Sequence, residues 1–174
     1  MQYIPSNFTT NYNTNDHSQM NHYLNHAQDS LQSLKKVDAT NFCYDDVAKC
    51  INTLERFYKA FLWQAHEQCE FYQYPSAKFL TDHDLLKLML EIKKNFPDVL
   101  PRYNRMDWRN IKHFLLELKI EYNSCRYYSY PDYQLFSAIF HFTNQQAKCI
   151  SKYLEQNKLK NYCDDYLEDY SYNS

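Results

Sequence analysis

The sequence predicts an all-α protein, an up-and-down bundle of about five helices. Three observations carry that prediction. Apolar residues recur at spacings of three and four in five successive stripes, the signature of helices with one buried face. No stretch alternates apolar and polar residues between turn signals, as a half-buried strand would. The 174 residues include no glycine, where average usage would supply about twelve. Two-residue hairpins and helix C-termini both favour glycine for its left-handed backbone. A fold of few, long elements, with Asn taking any left-handed positions, is therefore expected.

Residues 1–14 are polar, Asn- and Thr-rich and aperiodic, and read as a flexible arm. The first stripe is Met20, Leu24, Ala27, Leu31 and Leu34, broken by Asp38 to Asn41. The second is Val47, Cys50, Ile51, Leu54, Tyr58, Phe61, Leu62 and Ala65. It continues to about Tyr72 and is punctuated by Tyr74-Pro75-Ser76. A short third helix carries Leu85, Leu86, Met89 and Ile92 and stops by Pro97. Thr81, with Asp84 three residues on, is a near match to a capping box at its start. Asp107 is read as the N-cap of the fourth helix, whose stripe is Trp108, Ile111, Leu115, Leu118 and Tyr122. The fifth runs Leu135, Ile139, Phe142, Gln146, Ile150 and Leu154. The domain so defined covers 15–158. Residues 159–174 form an acidic, Tyr-rich tail, with no basic residue after 160.

Composition bounds the function. The absence of glycine excludes the Walker loop and the Rossmann fingerprint, which need a backbone that approaches phosphate without a Cβ. Apolar runs are too short for a membrane span. The opening MQYIPSNFTTNYNTND has neither a basic n-region nor an apolar h-region, so no secretory signal is expected. On that ground the protein is expected in the cytoplasm with its six cysteines reduced. Cys43 and Cys50, seven apart, read as small buried hydrophobes. There is no Cys-x-x-Cys, and His22 and His26, one helical turn apart, supply two metal ligands at most, so no metal and no cofactor is expected.

Charge is uneven. The net formal charge is −2, but without Asp164, Asp165, Glu168 and Asp169 there are 19 bases against 17 acids. Residues 102–126 hold six bases and three acids, interleaved with Tyr103, Trp108 and Tyr122. Bases that position phosphates among rings that stack on nucleobases suit nucleotide or RNA contact. The alternative is a solvated basic face with Trp108 and Tyr122 in the core. Arg105, Arg109, Lys112 and Arg126 are the candidate phosphate ligands. Arg126 equally suits the C-terminal end of the fourth helix, where a cation is favoured. His83 reads as a capping or packing residue. The acidic tail reads as a solubilising disordered end, or alternatively as a shield over the basic segment. Phe57, Trp63 and Phe71 exceed what one bundle needs and suggest an oligomer face.

Three segments together resemble a known family, the HEPN domain. Leu54-Glu55-Arg56-Phe57-Tyr58-Lys59-Ala60-Phe61-Leu62 is similar to its second-helix pattern, an acid followed by a Lys-Ala-Leu run. Thr81-Asp82-His83-Asp84-Leu85 looks like its Thr-His-Asp-Leu helix. Arg126 through Asp132 looks like its Arg-Tyr-Pro-Asp element with Tyr128-Ser129-Tyr130 inserted. The resemblance spans residues 15–158. It implies a homodimer, a nucleotide or RNA ligand held in a basic cavity between protomers, and a setting in a toxin–antitoxin or defence system. The protein partner it implies is a nucleotidyltransferase or an antitoxin. Many members are metal-independent ribonucleases with an Arg-x(4–6)-His motif, in which Arg neutralises the scissile phosphate and His moves a proton. The nearest pair here, Arg109 and His113, has only three residues between. The resemblance therefore implies a binding member without a well-formed nuclease motif. The alternatives are an endoribonuclease using Arg109 and His113, or a purely structural, protein-interaction bundle.

Overall fold

A computed structural model describes residues 17–72, 83–123, 133–155 and 158–171. All regular structure among them is helical. In chain order the helices are α1 (His17–Leu34), α2 (Tyr44–Gln68), α3 (Leu85–Asn95), α4 (Arg105–Asn123), α5 (Tyr133–Leu154) and α6 (Lys158–Ser171). The five apolar stripes correspond to α1–α5. The sixth helix differs from expectation, because the segment read as a tail is helical. Its Leu159 and Cys163 are buried in the shared core. A spacing of four puts both on one face, a signal too short to stand out among the surrounding acids and tyrosines. The arm at 1–14 lies outside the described residues.

α2 organises the bundle. It packs against α1, α3, α5 and α6, and from Thr53 to Leu62 every residue except Arg56 is buried. A helix buried on all sides normally reads as apolar all round. This one also carries Glu55 and Lys59 inward. Phe57 fills the core at 1% exposure and Phe71 packs on Phe96. The residues read as surplus for a single bundle are thus used within it, and half-buried Trp63 donates its indole N–H to Glu67 at 3.0 Å.

The helix ends show how the chain dispenses with glycine. Between α1 and α2, Asp38 Oδ1 accepts from the Thr40 hydroxyl (2.6 Å) and the Thr40 N–H (2.8 Å), while Asn41 Oδ1 accepts from the Asp38 N–H (2.7 Å). The Thr40 hydroxyl holds the Asp38 carboxyl below its ordinary range. Side chains close this turn in place of a left-handed residue. At the C-caps of α2 and α3, Cys69 and Phe96 have φ of −109° and −137°. Neither position calls for glycine or for the left-handed Asn expected there.

Two predicted caps move. Asp84 itself is the N-cap of α3, its Oδ1 accepting from the Leu86 and Lys87 N–H groups at 3.1 and 3.3 Å. It is not the third residue of a box begun by Thr81, which lies outside the described residues. Asn104 caps α4, accepting from the Met106 and Asp107 N–H groups at 2.9 Å each. Asp107 then sits in the first turn, where its charge faces the helix dipole.

Four of the six cysteines fall into three kinds. Cys69 and Cys163 form a disulfide between the end of α2 and α6, with Cα atoms 5.3 Å apart and a sequence separation of 94. This corrects the expectation of six reduced thiols; a pairing so distant in sequence leaves no local pattern. Cys43 is exposed at the start of α2, where its N–H donates to Asp46 Oδ2 at 2.9 Å, so only Cys50 is the buried hydrophobe expected of both. Burial, with Asp46 nearby, pushes the Cys50 thiol up to about 12. Alkylation at pH 8 should label Cys43 and leave Cys50 unmodified until the protein unfolds; equal labelling would contradict the burial. The sign of the pH dependence follows. An unfolded thiol ionises near pH 8.5, so the contribution of neutral Cys50 is present below that pH and is lost as pH rises toward 12.

Candidate nucleic-acid interface

α4 carries the candidate interface. Its inner side is Trp108, Ile111, Phe114 and Leu115, which pack on the core, with Phe114 meeting Phe142 of α5 edge to face at 5.8 Å. At 100° per residue, Arg105, Arg109, Lys112 and Leu116 fall within an arc of about 60° that flanks the inner side next to Trp108. All four are exposed, Leu116 at 47%. The structure thus brings together three of the four candidate phosphate ligands on one helix; Arg126 lies outside the described residues.

The aromatic neighbours are less available. Trp108 is half-buried, and the Lys93 ammonium lies 3.9 Å from its ring centroid, with Lys112 at 5.5 Å. Lys93 also lies 5.8 Å from Tyr103. A ring occupied by an ammonium is a cation–π partner before it is a stacking platform. Trp108 therefore serves mainly to hold Lys93 beside Lys112 of α4. Arg102, just before the helix, is engaged by Asp98 at 2.7 Å, which pushes its guanidinium further up.

Arg109 and His113 line one surface depression of about 450 Å³ with Asn110 and Phe114. The pair sits one turn apart on α4, and both residues are exposed. A single phosphate could meet a guanidinium and an imidazole here. His22 and His26 stand edge to face with ring centroids 4.2 Å apart. No group of three or more potential metal ligands occurs among the described residues. Among those residues no helix is long and apolar enough to cross a membrane.

A second cluster was not read as a unit from sequence. Glu55 Oε1 accepts from the Lys59 ammonium at 2.7 Å and lies 2.9 Å from His83 Nδ1. The Lys59 side chain is 3% exposed, that of Glu55 10% and that of His83 63%. His83 is therefore not the cap of α3 but an exposed ring oriented by a buried carboxylate. The i,i+4 pair within an apolar stripe was visible, whereas its partner 28 residues away was not. A third polar chain crosses the core. Tyr58 OH donates to Gln146 Oε1 at 3.2 Å, and Gln146 Nε2 donates to Tyr103 OH at 2.6 Å. Full burial pushes the Tyr58 phenol well up.

No protein-family model, curated protein or solved structure matches this chain.

Proposed function

We propose that this protein is a HEPN-like helical module that binds nucleotide or RNA through the outer face of α4. One observation carries the reading: Arg105, Arg109 and Lys112 are exposed together on one arc of α4, beside exposed Leu116. A chain without glycine must hold phosphate with side chains or helix N-termini, and α4 concentrates those side chains. The two segments that carry the resemblance on α2 and before α3 meet through Glu55 and His83. In this reading the module is dimeric, cytoplasmic and works in a toxin–antitoxin or defence system with a nucleotidyltransferase or antitoxin partner. The shielding role for the acidic segment is set aside, because α6 packs on α2 and α5.

The test is binding of a single-stranded RNA oligonucleotide by wild type and by Arg105→Glu/Arg109→Glu/Lys112→Glu at low salt. Losing three phosphate contacts should weaken binding by about a hundredfold and flatten the log–log salt dependence by about two. Unchanged affinity overturns the proposal. A second reading, metal-independent RNA cleavage, is favoured only by the shared depression at Arg109 and His113. Cleavage in EDTA that disappears in His113→Ala would establish it, whereas salt-dependent binding without cleavage supports the binding module.

A further inference from the structure

We propose that α6 is a thiol-released latch, held on the bundle by the Cys69–Cys163 disulfide and freed when that bond is reduced. Within residues 158–165 of the helix, two side chains besides Cys163 face the bundle. Leu159 and Cys163 are buried, and Tyr162 is half-buried with its ring 5.9 Å from Tyr153 and 6.2 Å from Phe96. Lys158, Lys160, Asn161, Asp164 and Asp165 are exposed. A helix of 14 residues is marginal in water on its own. The core runs through α1, α2, α3 and α5, with Leu115 from α4 and with Leu159 and Cys163 from α6 at its edge. α6 packs on α2 and α5 through one face, and reduction removes its covalent tether; an edge helix of this kind opens locally before the whole fold does. Release takes the Tyr162 ring away from Phe96, now 0% exposed, and frees a segment carrying four acids in 164–169.

The chemistry is a thiol–disulfide exchange. One thiolate of a dithiol reductant attacks a sulfur of the bond and forms a mixed disulfide. Its second thiol resolves this, leaving Cys69 and Cys163 as thiols and the reductant as a disulfide. Two electrons and two protons pass to the protein, and a disulfide oxidant of the same class closes the latch again. At 2% and 1% exposure, Cys69 and Cys163 meet a reductant only when α6 frays. Opening and reduction therefore reinforce each other.

Limited trypsin digestion of the full chain tests this, read as cleavage after Lys158 and Lys160 before and after treatment with dithiothreitol. Reduction should speed cleavage at these two sites by about tenfold or more, with helical circular dichroism retained. Cys69→Ser/Cys163→Ser should show the fast rate without reductant, and Cys43→Ser should remain redox-sensitive. Equal rates in both states overturn the latch. So does loss of helicity on reduction, which would make the bond a global staple, and so do six titratable thiols in the air-oxidised protein. If the double variant does not fold, wild type with and without reductant decides the matter.

Discussion

Phe96→Ala is expected to destabilise the protein by about 3–5 kcal/mol, the largest loss any single side chain of the core should produce. Phe96 closes α3, its N–H donating to Ile92 O at 2.7 Å, and its ring is completely buried. Among the described residues four rings surround it. Phe61 and Tyr72 meet it near edge to face at 5.2 and 5.1 Å, and Phe71 and Tyr162 lie at 5.7 and 6.2 Å. These partners belong to α2, to the chain just after it and to α6, so one side chain joins three parts of the fold. Truncation removes the transfer energy of a whole ring and leaves a cavity that such separate elements cannot jointly collapse into. Aromatic pairs add about 0.5–1.5 kcal/mol each beyond burial. Urea unfolding should show the loss as a lower midpoint with an unchanged slope, and the melting temperature should fall by about 10 °C. Leu116→Ala, at 47% exposure, is the control and should stay within about 0.5 kcal/mol. A Phe96→Ala loss below about 1.5 kcal/mol would mean that the aromatic cluster is loosely packed.

The prominence of Phe96 illustrates what the sequence leaves hidden. Periodicity located α1 to α5 because each has an apolar face on a 3.6-residue repeat, and this sufficed for the fold class. Phe96 extends the stripe of Leu85, Met89 and Ile92 by one turn, but its role depends on residues 24 to 66 positions away. Cys69 and Cys163 were hidden for the same reason. The α4 interface was more legible: an uninterrupted helix converts the spacing 105, 109, 112 directly into one face, and only the ammonium groups over Trp108 required coordinates. The caps failed differently. Several Asp, Asn and Thr residues stand near each helix start, and which one accepts the first N–H groups depends on the path of the preceding chain.

Lys59→Met should cost about 3 kcal/mol, while Glu55→Leu/Lys59→Met should cost clearly less. From Thr53 to Leu62 α2 is buried except at Arg56, so the Glu55–Lys59 pair, 10% and 3% exposed, is largely desolvated. Removing the ammonium leaves the Glu55 carboxylate, 10% exposed, with His83 alone, and that ring is 63% exposed and correspondingly screened. The carboxylate then bears a desolvation cost that no close cation offsets. Replacing both residues with apolar groups of similar volume removes the cost together with the attraction, which is why the double variant should recover stability. A double-mutant cycle by urea unfolding gives the coupling directly; a single-variant loss below about 1 kcal/mol would show that water reaches the pair. The same variants separate a structural from a functional reason for the cluster. Glu55 and His83 lie in two of the segments resembling the HEPN domain, yet the charges proposed to hold phosphate are on α4. If α4 alone carries binding, the folded double variant should retain wild-type RNA affinity, and the buried pair serves to fix α2 against the start of α3. A folded double variant with lost affinity would instead move the binding site to the exposed His83 ring and the carboxylate behind it.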